Sequence, residues 1–349
     1  MHLLIITREW PGYVLGGISH HICNLYNEVV DKGHEITVIT GTCPQSSHEL
    51  TGKKPPANEV HTVQFGYRKG YYVLFPIALR NYLQSFDFDP FDACITHTGV
   101  PFELPLPTVS KRHDCYEATK EYIRNGLSFL ETIGDRLMGP FRTIVDRRSI
   151  AAADCLIYNS AVCRAGWESA YNITTPSIVS HNGIDTSVFY PDSGYNKEDY
   201  ILFVGGSERK GLSHVISFAR QTKEDVIIVG PDEVNSPHVD ALGRLSSDEL
   251  RQVYTNAAVT IHPAGWEAFG NVILESVACG TPVVATKNCG AVEVLPSSAC
   301  VVTSEIERGV MKAKNLNSED CIKAASKQTW DKPAQDMIDI VRSITNPEC

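Results

Sequence analysis

The sequence predicts an α/β protein of two doubly wound domains that face each other across a cleft. Three observations carry that expectation. The chain has 349 residues, more than one hydrophobic core usually organises. Short apolar, β-rich runs alternate with longer helix-compatible segments almost end to end, the pattern of parallel sheets with crossover helices. A polar stretch at 191–199, carrying Pro191 and Gly194, then separates two series of such runs.

The first series predicts strands at 2–7, 35–40, 60–65, 93–96, 106–110, 155–159 and 177–180. The second predicts strands at 200–204, 226–229, 241–245, 259–262, 282–285 and 300–302. The functional boundary falls near Pro176, giving domains of residues 1–175 and 176–330. Two such sheets place their carboxyl ends on a shared cleft, where folds of this kind bind ligands.

Composition narrows the function. A net charge of −10 argues against a protein that neutralises nucleic-acid phosphates, so an anionic small ligand needs a specific site. The opening run Met1-His2-Leu3-Leu4-Ile5-Ile6-Thr7 is too short and lacks the basic leader of a signal peptide. No apolar run approaches the ~20 residues that span a bilayer. The expected location is the cytoplasm, with peripheral contact at the inner membrane face kept open. The 11 cysteines are scattered, without a CxxC pair, and read as free, mostly buried thiols.

The densest segment runs from His262 to Ala285 as strand, loop, helix, turn, strand. Gly270 gives a flexible approach, the helix starts near Asn271, and Cys279-Gly280-Thr281-Pro282 ends it. Glu267 lies in the loop and Glu275 about one turn inside the helix. On one continuous helix their spacing would turn them by roughly 80° apart, at ~3.6 residues per turn. With Glu267 in a loop, the two carboxylates can address different hydroxyls of one extended ligand. The free amides around Gly270, Asn271 and Val272 can bind a pyrophosphate at the helix N-terminus.

Glu267 to Glu275 resembles the E-x7-E motif of retaining GT-B glycosyltransferases, and the flanking residues resemble family 4. The resemblance implies two Rossmann-like domains, a nucleotide-diphosphate sugar as donor, UDP or GDP as its nucleotide, and retention of anomeric configuration. It places Glu267 beside the donor sugar and reacting centre and Glu275 on the ribose, with Ala268, Phe269, Gly270, Asn271 and Val272 on the donor between them.

Other segments extend the resemblance over nearly the whole chain. Val204-Gly205-Gly206-Ser207-Glu208-Arg209-Lys210-Gly211 is similar to the family's glycine and basic loop, with Gly206 where an arginine is frequent. Arg209 and Lys210 would neutralise the departing diphosphate. Gly16 and Gly17 match the donor-facing glycine loop of the first domain, and His113 the strand-ending histidine at the donor sugar. Asn182-Gly183-Ile184-Asp185 through Pro191 is similar to the interdomain signature. Gly230 and Leu242 end strands where backbone groups could hold the base. The segment from Trp330, about 331–349, resembles the last GT-B helix, which packs back on the first domain.

No zinc-ligand spacing joins the histidines and no DxD element demands a divalent metal, so neither a metal nor a tightly bound cofactor is expected. Two readings compete with a hexosyltransferase: a sugar-nucleotide epimerase or hydrolase on the same scaffold, and a non-catalytic nucleotide-sugar-binding subunit. The acceptor stays open between a glycan, a small alcohol and a lipid-linked hydroxyl, and the oligomeric state is not specified.

Overall fold

The computed structural model describes residues 1–13, 17–42, 57–66, 71–192, 194 and 197–346. Gly16, the linker residues Ser193, Tyr195 and Asn196, and the thiols of Cys43 and Cys349 lie outside the described residues. The nine described cysteines are free, and all but Cys23 are buried.

The described strands form two wholly parallel sheets. The first contains β1 (His2–Thr7), β2 (Glu35–Thr42), β3 (Glu59–Gln64), β4 (Ala93–Thr96), β5 (Thr108–Arg112), β6 (Cys155–Tyr158) and β7 (Ser177–Val179), in spatial order β3-β2-β1-β4-β5-β6-β7. The second contains β8 (Ile201–Val204), β9 (Val226–Val229), β10 (Val239–Ala241), β11 (Val259–His262), β12 (Val283–Ala285) and β13 (Cys300–Val302), in order β10-β9-β8-β11-β12-β13. Among the described residues, eleven helices accompany them: α1 (Gly17–Asp31), α2 (Tyr71–Leu83), α3 (Tyr116–Asn125), α4 (Phe129–Ala151), α5 (Ala161–Ala170), α6 (Leu212–Thr222), α7 (Ser247–Asn256), α8 (Asn271–Ala278), α9 (Ile306–Ala313), α10 (Ser318–Ala325) and α11 (Asp331–Thr345). This is the GT-B arrangement of two Rossmann-like sheets.

The strands are continuous apolar runs because both faces of each sheet are covered. Leu3 and Ile5 meet Ile22, Leu25 and Val29 of α1 on one face, while Leu4 and Ile6 meet Phe75 and Leu79 of α2 on the other. The α11 helix joins the first of these cores through Ala334, Met337 and Val341, whose helical spacing makes one buried stripe. Chain from beyond the second sheet therefore completes the core of the first.

Two strands start two residues away from the sequence expectation. The segment expected at 106–110 pairs as Thr108–Arg112, because Pro107 has no N–H to give the ladder and contributes only its carbonyl, to Cys94 N–H. The segment expected at 241–245 pairs as Val239–Ala241. There Gly243 turns the chain, donating to Pro231 O and accepting from Gly230 N–H, which ends the ladder.

Strand order reverses between β1 and β4 in the first sheet and between β8 and β11 in the second. Such switch points open a crevice at the carboxyl ends of the strands. The residues leaving these four strands are Arg8 and Glu9, His97, Gly205 to Lys210, and Pro263 to Glu267.

Candidate active site

All of these strand ends except Gly205 to Glu208 and Pro263 to Trp266 contribute directly to one cleft of about 670 Å³, in the range that holds a small-molecule ligand. It collects Glu267, Arg209, Lys210, His113, Glu275 and the first turn of α8.

The Glu267 loop is pinned on both sides. Its N–H donates to Asn288 O at 2.9 Å and its carbonyl accepts from Gly290 N–H at 3.1 Å. The side chain is buried, and Oε1 accepts from Arg209 Nη1 at 3.1 Å. Oε2 lies 3.7 Å from His262 Nε2 and has no hydrogen-bond partner among the described residues. Burial alone would raise this carboxyl; the His262 imidazole, the Arg209 guanidinium and Lys210 outweigh it and hold the group at about 2. Glu267 is thus a fixed anion with one oxygen open.

The basic loop is zipped to the same place. Gly265 N–H donates to Arg209 O at 3.0 Å, and Gly211 ends the short turn Glu208–Lys210 at a φ of 92°. A Cβ at Gly211 would stand 2.4 Å from Pro263 O, so only glycine lets the two loops approach this closely. Arg209 and Lys210 therefore arrive as cations on the glutamate side of the cleft.

Gly270, at a φ of 92°, turns the chain into α8 without a side-chain cap. The amides of the first turn thus face the cleft lined by Gly270, Asn271 and Val272. Asn271 Oδ1 accepts from Asn182 Nδ2 at 3.1 Å, which ties the helix start to the interdomain segment. One turn on, Glu275 accepts from Tyr254 OH at 3.0 Å, and burial raises its carboxyl against the pull of that bond and Lys210.

On the opposing wall, His113 follows β5. Its Nε2 bonds His97 Nδ1 at 2.8 Å, and His97 Nε2 bonds Tyr26 OH at 2.6 Å. With His21, these imidazoles bring one nitrogen each within 4.8 Å of one another. Burial first, together with Lys111, drives all three towards the neutral form, His97 to about 3, and neighbouring histidines add to the shift of His21 and His113. The cluster is tertiary, since His21, His97 and His113 come from three separate elements. No spacing along the chain announces it.

The same wall holds Arg8, Arg112 and Arg142. Arg112 is 5 % exposed, with Nε and Nη2 unpartnered, and stacks over Trp167 at 4.9 Å. Arg142 lies over the Tyr72 and Tyr116 rings at 3.6 and 4.2 Å with its buried Nε unpartnered. Arg8 covers Tyr71 at 3.5 Å and pairs with Glu9. These cations were not singled out by the sequence; each is one residue of a strand end or helix whose exposure cannot be read from neighbours in the chain.

Of the residues expected at the donor, Phe269, Gly270, Asn271, Val272 and Glu275 line the cleft, while Ala268, Gly206, Gly230 and Leu242 do not. Ala268 is buried, its carbonyl taken by Ser160 Oγ across the domains. Gly206 and Gly230 pack where β8 and β9 end, and Leu242 is 42 % exposed beyond β10. Leu245, Ser247 and Leu250 line the cleft instead. Gly17 is the first residue of α1.

Residues 15–188 match the family described as Glycosyltransferase Family 4, and residues 192–328 match Glycosyl transferases group 1. The gpi3 subunit of phosphatidylinositol N-acetylglucosaminyltransferase from Schizosaccharomyces pombe is 26% identical over 81% of this chain and 65% of its own length. The chain thus spans just under two thirds of that relative. Alpha-maltose-1-phosphate synthase from Mycobacterium tuberculosis is 28% identical over 84% of this chain and 82% of its own. The structure of Anabaena HepE in complex with UDP and glucose superposes with a TM-score of 0.68 at 16% identity, covering 98% of this chain and 100% of that one. Likeness at that identity shows the shared fold. Among the described residues, no helix is long and apolar enough to cross a membrane.

Proposed function

Because the chain belongs to the glycosyltransferases of group 1 and family 4, we propose that it transfers a hexosyl group from a nucleotide-diphosphate sugar to an acceptor hydroxyl, with retention of anomeric configuration. The observation that carries this reading is the convergence of Glu267, Arg209, Lys210 and the uncapped start of α8 on one cleft. Together with Glu275, those groups match a sugar hydroxyl, a diphosphate and a ribose.

In this reading the diphosphate lies between the α8 amides and the Lys210 ammonium, with Arg209 beside them. Preorganised donors of this kind stabilise the charge that develops as the anomeric bond breaks. The open Oε2 of Glu267 accepts from a donor-sugar hydroxyl, and Glu275 accepts from the ribose. With His97 Nδ1–H donating to His113 Nε2, the neutral His113 ring carries its own proton on Nδ1, free to donate. It orients the sugar from the opposite wall.

The Anabaena structure holds UDP and glucose, which supports a nucleotide sugar without fixing the base here. Retention rests on the family resemblance. No divalent metal is required in this reading, because cationic side chains already face the diphosphate. The buried, unpartnered nitrogens of Arg112 and Arg142 favour an acceptor that carries an anionic group such as a phosphate.

Thermal unfolding with UDP-, GDP- and ADP-sugars tests the donor reading. A true donor raises the melting temperature with its concentration, by binding only the folded state. No rise with any member of the panel contradicts it.

A further inference from the structure

The α4 helix has two faces with different tasks. Of the thirteen large apolar side chains that are exposed among the described residues, seven lie on it: Phe129, Leu130, Ile133, Leu137, Met138, Phe141 and Ile144. Phe129 and Leu130 are each 79 % exposed and Leu137 67 %. At about 100° per residue, all of the seven but Met138 fall within a stripe of about 120°. Neighbouring α2 adds exposed Leu74 and Ile77. Exposure of this kind marks an interaction surface, since isolated apolar residues on a soluble face do not line up.

The helix is a built element. Ser128 and Glu131 close a capping box at its start, with Glu131 Oε2 accepting from Ser128 N–H at 3.1 Å. Its charges are sorted around the stripe. Arg136, Arg147 and Arg148 are exposed and lie within about 80° of the stripe centre. Glu131, Asp135 and Asp146 lie about 140–180° away, on the other side. The inward face carries Arg142 and Asp146, both lining the cleft.

We propose that α4 seats the protein on an anionic lipid bilayer, with its apolar stripe at the acyl boundary and Arg136, Arg147 and Arg148 on the headgroups. The charge pattern selects this occupant. A chain of net charge −10 is repelled by such a surface overall, yet the flanks of this stripe are cationic. A second copy packed on the same face with the two α4 helices parallel would set Arg147 and Arg148 of one against those of the other, a like-charge cost that a bilayer turns into attraction. One helix about 10 Å thick then separates the lipid from the Arg142 wall of the cleft. The surface stands on its own geometry, whatever sugar the cleft transfers.

The test is flotation of the full chain with two kinds of vesicle, phosphatidylcholine alone and an equal mixture with phosphatidylglycerol. Leu137→Glu/Phe141→Glu alters exposed positions of the stripe, and Arg147→Ser/Arg148→Ser removes flanking charge; thermal melting verifies that each variant folds. The wild type floats with the mixed vesicles, and each double variant and the neutral vesicles lower the bound fraction by about tenfold. Absence of wild-type flotation overturns the proposal, as does undiminished binding by both folded variants. A wild-type dimer in light scattering that the Leu137→Glu/Phe141→Glu change splits, with no flotation, assigns the face to a second copy and equally overturns it.

Discussion

The two oxygens of Glu267 differ: Oε1 accepts from Arg209 Nη1 at 3.1 Å, and Oε2, 3.7 Å from His262 Nε2, is buried without a hydrogen bond among the described residues. The ion pair fixes the side chain so that the second oxygen is held ready. Removing the negative charge while keeping the shape separates these roles. Glu267→Gln is expected to lower kcat by about 10²–10³-fold, the usual loss when one preorganised polar group is removed from a reacting centre. Steady-state kinetics check it, and a kcat within about twofold of wild type contradicts the role.

Glu275 is expected to act on binding. Its carboxylate accepts from Tyr254 OH at 3.0 Å and faces the cleft one turn from the α8 amides. Glu275→Ala removes a ribose contact and leaves Tyr254 OH buried and unpaired. Titration calorimetry should then give a nucleotide-sugar Kd about tenfold higher or more, while bare inorganic diphosphate binds as before.

Arg112 tests the acceptor half of the cleft. With Nε and Nη2 unpartnered among the described residues and the side chain 5 % exposed, Arg112→Gln removes a cleft-facing charge, and the buried Asp146, which Arg112 and Arg142 both stabilise, keeps Arg142; thermal melting checks that the variant folds. The expected result is an acceptor KM raised by about tenfold with donor affinity unchanged, the size of one charge-assisted bond. Unchanged acceptor KM contradicts an anionic acceptor.

Acid lability follows from the buried imidazoles. In the unfolded chain His97 titrates near its ordinary 6.5, whereas burial and Lys111 lower it to about 3 in the fold. Between those values the unfolded chain binds more protons, so stability rises with pH across that window and is lost on acidification. His21 and His113 shift in the same direction. Glu267 adds a lower step: held at about 2 against an ordinary 4.5, it stabilises fully above the higher value and loses this contribution towards the lower. Melting temperature should therefore fall from pH 7 to 4, and His97→Gln should flatten the slope. A pH-independent melting temperature in the wild type contradicts neutral burial of the three rings.

The sequence made the alternating elements legible because parallel strands buried on both faces leave unbroken apolar runs, as at His2–Thr7 and Val259–His262. The loop position of Glu267 and the start of α8 at Asn271 were legible from Gly270 and the Gly280 stop. Strand edges near proline and glycine were not, because Pro107 and Gly243 change which backbone groups can pair rather than which side chains are apolar. The first-domain wall was legible only at His113. His97, Arg112 and Arg142 reach the cleft through the strand order and the seat of α4, and these are tertiary facts. Gly206 and Gly230 lie outside the cleft lining, where strand-ending glycines serve the close approach of two loops.

The Glu267, Arg209 and Lys210 side of the cleft is expected to perform glycosyl transfer. Mass spectrometry and NMR of the product formed from the donor that gives the largest thermal shift, with an acceptor panel that includes sugar phosphates and inositol phosphate, test it most directly. The expected outcome is a glycoside with the donor's anomeric configuration, one equivalent of nucleoside diphosphate, and loss of both in Glu267→Gln. Tight donor binding by the wild type with no glycoside, or with an epimerised or hydrolysed sugar alone, would contradict it.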